Sequence, residues 1–265
     1  MTVSIRVPSQ RACEPSHPTF RTHAMLRAFT SALSFLRPPQ PGGPRTHSAA
    51  AFSPFWSCAS LDRSIALTFD DGPGPFTERL LDTLKCRNVT AAFFVLTELA
   101  LQRPDTVRRA VAEGHIVGLH TWNHPNLTAI WEAADWTELH RQVDYAADVL
   151  STITGEPVLY FRPPYGAINA GLRDYLHERG FKIAMWNSGC LDWAFKSDGS
   201  AVWPDIAIIV DGLADAGAVV CLHDIHNTTV NGVPGLLDAL TTEDGWINPQ
   251  QRRLVDLNTC TQASV

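Results

Sequence analysis

Ile65-Ala66-Leu67-Thr68-Phe69-Asp70-Asp71-Gly72-Pro73 is an apolar run that ends in two adjacent carboxylates and a Gly-Pro turn. A run this short and this apolar predicts a buried parallel strand. Two acids side by side at the end of a strand repel each other and stabilise nothing by themselves. A metal ion, a cationic partner or a proton has to make the pair tolerable.

Working outward, six more apolar runs qualify as buried strands: 91–96, 116–119, 158–161, 181–187, 218–222 and 252–257. Amphipathic stretches lie between most of them and predict helices over 76–86, 104–113, 132–154, 170–179 and 230–243, with Gly114, Gly155 and Gly180 as stops. Strand–helix alternation of this kind implies parallel strands joined by crossover helices. Seven units in about 200 residues fit a closed or nearly closed barrel better than an open sheet. The expected fold is therefore α/β, a distorted (β/α)7-type barrel with its active site at the C-terminal strand ends. Asp70-Asp71, His120, Arg162, Asp192 and His223 all follow the ends of different apolar runs, so a barrel brings them to one face.

Charge divides the chain unevenly. Residues 1–60 hold six Arg, no Lys and one acid, for a charge of +5, and eight of the 18 prolines. They read as a leader or disordered segment, set at 1–57, ahead of a folded domain at 58–260 and a short tail at 261–265. Within the leader, Met25-Leu26-Arg27 precedes a short apolar stretch ending at Leu36, which resembles a weak secretory signal; the expected location is secreted or cell wall. The remaining residues carry −11, which with the +5 makes the net −6 and argues against a nucleic-acid partner. No stretch reaches the roughly 18 apolar residues of a membrane span.

None of the six cysteines forms a Cys-x-x-Cys pair, so a cysteine-based zinc site is not expected. Cys58 and Cys260 bracket the folded region, where a disulfide would clamp the two ends in an oxidising compartment. Cys86, Cys190 and Cys221 sit in or beside apolar runs and read as small buried hydrophobes.

His120-Thr121-Trp122-Asn123-His124 offers two imidazoles four apart. Such spacing is common without a metal, but joined to an aspartate at a neighbouring strand end it makes a two-His, one-carboxylate set with positions left open for water and substrate. One of Asp70 and Asp71 can then coordinate while the other stays free as a general base. Zinc suits these donors best, with cobalt, manganese and iron as alternatives. Arg162, in Arg162-Pro163-Pro164-Tyr165-Gly166, is placed to pair with the free carboxylate, and Asp192 to hold Arg162 or tune a histidine. His223, after an apolar run, is the candidate general acid, and His226 the weaker one. Trp122, Trp186 and Trp193 adjoin these residues and would suit stacking on sugar rings.

With these motifs in hand, residues 58–260 resemble the polysaccharide deacetylases of the NodB-homology type, carbohydrate esterase family 4, which act on chitin, peptidoglycan and acetylxylan. Thr68-Phe69-Asp70-Asp71-Gly72, His120-Thr121-Trp122-Asn123-His124, Arg162-Pro163-Pro164-Tyr165, Asp192-Trp193 and Leu222-His223 match five family motifs in order. The resemblance implies Asp70 as base, Asp71, His120 and His124 as metal ligands, and His223 as acid. It implies that Arg162 orients Asp70 and is itself held by Asp192, and that the Tyr165 backbone N–H serves the oxyanion. Trp193 and Leu222 would form an acetyl pocket, with Pro163 also beside the substrate. The chain departs from the pattern at Gly189, where many members carry an acid. The implied activity is metal-dependent deacetylation of N-acetylglucosamine polymers by a monomer. Chitin is favoured, with peptidoglycan, acetylxylan or a catalytically silent carbohydrate-binding role as alternatives.

Overall fold

The computed structural model describes residues 54–58, 61, 63–189, 192, 217–241 and 253–262. The leader up to residue 53, Cys13, Cys190 and Trp193 lie outside the described residues.

Parallel strands build one sheet: β1 Ser64–Asp70, β2 Ala92–Val95, β3 Ile116–Leu119, β4 Tyr160–Phe161, β5 Lys182–Ile183, β6 Ser188–Gly189, β7 Ala218–His223 and β8 Arg253–Leu254. Their order is β5-β4-β3-β2-β1-β7-β6, with β8 pairing to the start of β1. Among the described residues β5 and β6 do not pair, so the sheet curls into a half-open barrel. Among the described residues the seven expected units become eight strands, because the run 181–187 holds only β5 and the chain then pairs again at Ser188 and Gly189. Between them, the Asn187 side chain accepts from Val219 N–H and donates to the Gly217 carbonyl, which keeps the chain tethered to β7.

β1 is buried along all seven residues, as a central parallel strand must be. Ile65, Leu67 and Phe69 pack with the helices, whereas Ala66 faces the barrel interior with Ala92, Phe94, Tyr160, Ala184 and Val219. Gly118 leaves room there, since a Cβ on it would stand 2.7 Å from the Phe94 ring. The interior is closed by Cys58, Leu257 and Cys260. Cys58 and Cys260 form the expected disulfide, 202 residues apart in sequence; a loop that long corresponds to about 5 kcal/mol of lost unfolded-state entropy. Phe55 already belongs to the fold, bridging to Ala184. Cys221 is buried as expected, whereas Cys86 is exposed and disulfide-bonded.

Helix α1 spans Thr77–Cys86, α2 Thr97–Gln102 and α3 Pro104–Ala112. The long helix expected over 132–154 is interrupted. Helix α4, Leu127–Glu132, stops there, Ala134 takes a left-handed φ of 53°, and Asp135 caps a new start at Trp136. From there α5 Trp136–His140 runs through a π-helical turn, Arg141–Tyr145, into α6 Ala146–Thr154, which ends at left-handed Gly155. Helix α7 is Ala170–Glu178, α8 Asn227–Thr241 and α9 Leu257–Gln262. Among the described residues no helix is long and apolar enough to cross a membrane.

Candidate active site

The C-terminal ends of β1, β2, β3, β4 and β7 meet at one rim, and the sheet register sets Asp70 opposite His223. Asp70 continues the interior face of β1 and is buried, while Asp71 takes a left-handed φ of 70° that turns its carboxylate away from its neighbour. Thr121, His124 and Tyr165 also have positive φ, at 74°, 67° and 62°. Non-glycine residues hold such conformations only where surrounding structure imposes them, and four around one centre mark it as functional.

Asp71 Oδ1 lies 3.4 Å from His120 Nε2 and 3.3 Å from His124 Nε2. The three side chains offer ligand atoms within 4.8 Å of one another. His120 Nδ1 is 2.7 Å from the carbonyl of Arg162, to which it donates, leaving Nε2 as a lone-pair donor toward the centre. Burial raises the Asp71 pKa, but the surrounding imidazoles, His120 first, more than offset it, so the carboxyl ionises below its ordinary range. Burial, then the charge of His120, lowers the pKa of His124 and keeps it neutral. Asp71 Oδ1 is buried and has no hydrogen-bond partner. An orphaned carboxylate oxygen facing two imidazole nitrogens fits a divalent cation.

Arg162 is fully buried in the barrel interior. Its Nη1 donates to Asp70 Oδ1 at 2.7 Å and to Thr68 Oγ1 at 2.6 Å. Nε and Nη2 donate to the carbonyls of Ala184 and Met185, each at 3.0 Å. The guanidinium sits 4.0 Å over the Phe94 ring. Asp192 is not among these partners: four of Arg162's five N–H donors are taken by β1 and the segment after β5. Asp192 instead accepts from the backbone N–H of His223 at 2.7 Å, from Thr229 Oγ1 at 2.8 Å and from His223 Nδ1 at 2.8 Å. Of the two roles read from the sequence, the histidine partner is the one realised. Burial lowers the pKa of His223, but Asp192 outweighs it and pushes the imidazole up to about 9. His223 Nε2 then points back to Asp71 Oδ2, 4.0 Å away. The His226 ring lies 6.1 Å from that of His223 and makes no comparable pair with Asp192.

Tyr165 is exposed, its hydroxyl donating to the His124 carbonyl at 3.3 Å and its ring packed edge-on against His124. Pro163 is buried and shapes the turn rather than presenting a surface. Leu222 is fully buried in the core between sheet and helices, on the face of β7 opposite to His223. The residue two before His223 shares its face instead, by the alternation of a strand. That residue is Cys221, whose Sγ is 3.4 Å from Asp70 Oδ2. Counting in twos back from His223 would have found it. Gly189, the departure from the family pattern, pairs with Cys221 across β6 and β7.

Asp224 was not singled out from the sequence. It is fully buried beneath Gly72, where any Cβ would strike its carboxylate, and it accepts from Thr77 Oγ1 at 2.5 Å. Thr77 Oγ1 in turn accepts from Gly74 N–H at 2.7 Å. Asp224 thus supports the turn that follows Asp71.

The Polysaccharide deacetylase family matches residues 59–184 of this chain. Peptidoglycan-N-acetylglucosamine deacetylase PgdA of Listeria monocytogenes is 37% identical over 70% of the chain, and the match spans 37% of that protein's length. A peptidoglycan-N-acetylglucosamine deacetylase of Bacillus cereus is 34% identical over 76% of this chain and 69% of its own. The structure of the chitin deacetylase from Colletotrichum lindemuthianum superposes with a TM-score of 0.66 at 29% identity, covering 78% of this chain and 91% of that one. Fold and site together define a half-open parallel α/β barrel with a two-His, one-carboxylate donor set at its rim. The chain belongs to the polysaccharide deacetylase family.

Burial raises the Asp224 pKa to about 7, with the charges of Asp71 and Asp70 adding to it and the Thr77 hydrogen bond opposing. An acid whose folded pKa lies above its unfolded value makes stability fall as pH rises from about 4 to about 7. Asp224→Asn keeps the oxygen that accepts from Thr77 and removes the charge. In metal-free protein the variant should gain stability relative to wild type through that pH range, by on the order of 4 kcal/mol at most. Denaturant midpoints at pH 4, 6 and 8 measure it; a difference that stays constant with pH would show that Asp224 is not the titrating group.

Proposed function

We propose that this chain hydrolyses the acetamide of N-acetylglucosamine units in a polysaccharide, releasing acetate and a free amine. The observation that carries this reading is the convergence of the Asp71, His120, His124 donor set with the Asp70–Arg162 and His223–Asp192 pairs at one rim. Two imidazoles and a carboxylate are donors that zinc takes in hydrolytic sites, so zinc is the ion proposed, ahead of cobalt, manganese or iron. When bound, the ion polarises the acetyl carbonyl and makes water acidic enough to react near neutral pH.

The chain's own groups divide the proton work. Asp70, held through Oδ1 by Arg162, takes the proton from the attacking water. Arg162 positions that carboxylate and balances its charge. The backbone N–H of Tyr165 is the proposed donor to the developing oxyanion. His223, kept protonated and oriented by Asp192, gives its Nε2 proton to the departing nitrogen. Trp193 is proposed as a wall of the substrate site from its motif alone.

The sequence alone favours chitin as polymer. The Listeria and Bacillus relatives, 37% and 34% identical, are named for peptidoglycan and support it first, with chitin second. The Cys58–Cys260 disulfide supports an oxidising compartment, consistent with a secreted or cell-wall location. The domain responsible would be the 58–260 read from the sequence, extended to Phe55, which bridges to Ala184, and to Gln262 at the end of α9, with the residues before 54 as leader. A silent carbohydrate-binding role is disfavoured by the presence of base, acid and ligand set together.

Acetate release by the zinc-loaded chain should be fastest on peptidoglycan, slower on chitin oligomers and slowest on acetylxylan. No release from any of the three would overturn the proposal.

Asp70→Asn and His223→Ala should each lose about 10²–10⁴-fold in kcat/KM while keeping bound zinc, because they move protons and do not hold the ion. His120→Ala and His124→Ala should lose zinc as well. Metal content after dialysis separates the two groups, and zinc loss by Asp70→Asn matching that of His124→Ala would mean the two aspartates are assigned in the wrong order.

The acid limits activity at high pH. A histidine whose folded pKa is raised stays protonated until pH passes that value, so kcat/KM should fall on the alkaline side as His223 deprotonates. Asp192→Asn removes the charge that raises it and should shift this limb toward lower pH by about one unit or more. A limb that does not move in Asp192→Asn would place the acid elsewhere, with His226 next.

A further inference from the structure

Two of the three proposed ligands sit on one short loop, and its backbone is costly. Thr121 and His124 both hold positive φ, at 74° and 67°, conformations that non-glycine residues adopt only under constraint. Thr121 supplies one restraint, its Oγ1 accepting from His124 N–H at 2.9 Å. The other comes from outside the loop. Gln142 is fully buried, and its Oε1 accepts from the backbone N–H groups of Trp122 at 3.0 Å and Asn123 at 3.3 Å. Its Nε2 donates to Asn123 Oδ1 at 2.8 Å and to Glu138 Oε1 at 2.7 Å. One amide thus makes four hydrogen bonds, three of them to the residues between His120 and His124.

Gln142 lies in the π-helical turn Arg141–Tyr145, which interrupts an otherwise α-helical run from Trp136 to Thr154. Turns of this kind widen a helix locally and occur mostly where a side chain has a task. A fully buried glutamine does not serve packing; an apolar residue would be buried there at lower cost. Its removal, however, would leave two loop N–H groups without their acceptor.

We propose that Gln142 is a positioning residue for the metal centre: its amide holds the backbone of Trp122 and Asn123 in the arc that aims His120 and His124 at Asp71. This rests on the metal reading given above. Partners that orient ligands in this way typically change metal affinity by about 10–100-fold when lost.

The test measures zinc affinity of the full chain by competition with a chromophoric chelator, together with the visible spectrum of the cobalt-loaded protein. Gln142→Leu should bind zinc about 10–100-fold more weakly and give an altered cobalt spectrum. Gln142→Glu keeps an acceptor for the loop but sets a carboxylate against Glu138; it should also bind more weakly, and adding Glu138→Gln should restore binding by exchanging the partners. This rescue decides the matter even if Gln142→Leu does not fold. Ile153→Val, a core change on the same helical run, should lower the melting temperature and leave zinc affinity as in wild type. Wild-type affinity in Gln142→Leu, wild-type affinity in Gln142→Glu, failure of the exchange to rescue, or an equal loss in Ile153→Val would each overturn the role of Gln142 alone. If wild type and His124→Ala bind zinc equally poorly, the metal reading falls and this inference falls with it.

Discussion

A cation buried at the centre of the half-open barrel organises everything around it. Arg162 has no exposed surface, and its charge is balanced by the carboxylate of Asp70. Losing either partner of such a pair costs about 3–5 kcal/mol because the other is left uncompensated. The guanidinium also ties β1 to the carbonyls of Ala184 and Met185, while the backbone carbonyl of Arg162 sets the tautomer of His120. One residue therefore orients the proposed base with its side chain and a proposed ligand with its main chain. The rigidity of both groups has a single source.

Two adjacent aspartates acquire different roles from a change of one backbone angle. Asp70 keeps strand geometry and points into the interior; Asp71, at φ 70°, swings to the histidines. Their mutual repulsion is then relieved separately, by Arg162 for one and by the imidazoles for the other. Below them Asp224 and Thr77 hold the turn, and behind the histidine loop Gln142 holds the arc. The rim is built of strained backbone supported from beneath by buried polar side chains, which accept from the N–H groups of Gly74, Trp122 and Asn123.

Sequence by itself determined the alternation of strands and helices, and with it the parallel sheet, because a run buried on both faces can be read from apolarity alone. It also determined where the chemistry lies: polar residues directly after such runs must reach the C-terminal rim, so Asp70, Asp71, His120, His124, Arg162 and His223 were legible without coordinates. Only tertiary structure decided which acid serves which base. Asp192 meets His223 and not Arg162, since pairing depends on distances between segments far apart in the chain. It decided that Cys221, and not Leu222, lies beside Asp70, because strand phase is set by register with β1. It decided, finally, that Gln142 and Asp224 matter: each is an ordinary polar residue in sequence, and what distinguishes them is burial against a backbone that cannot satisfy itself.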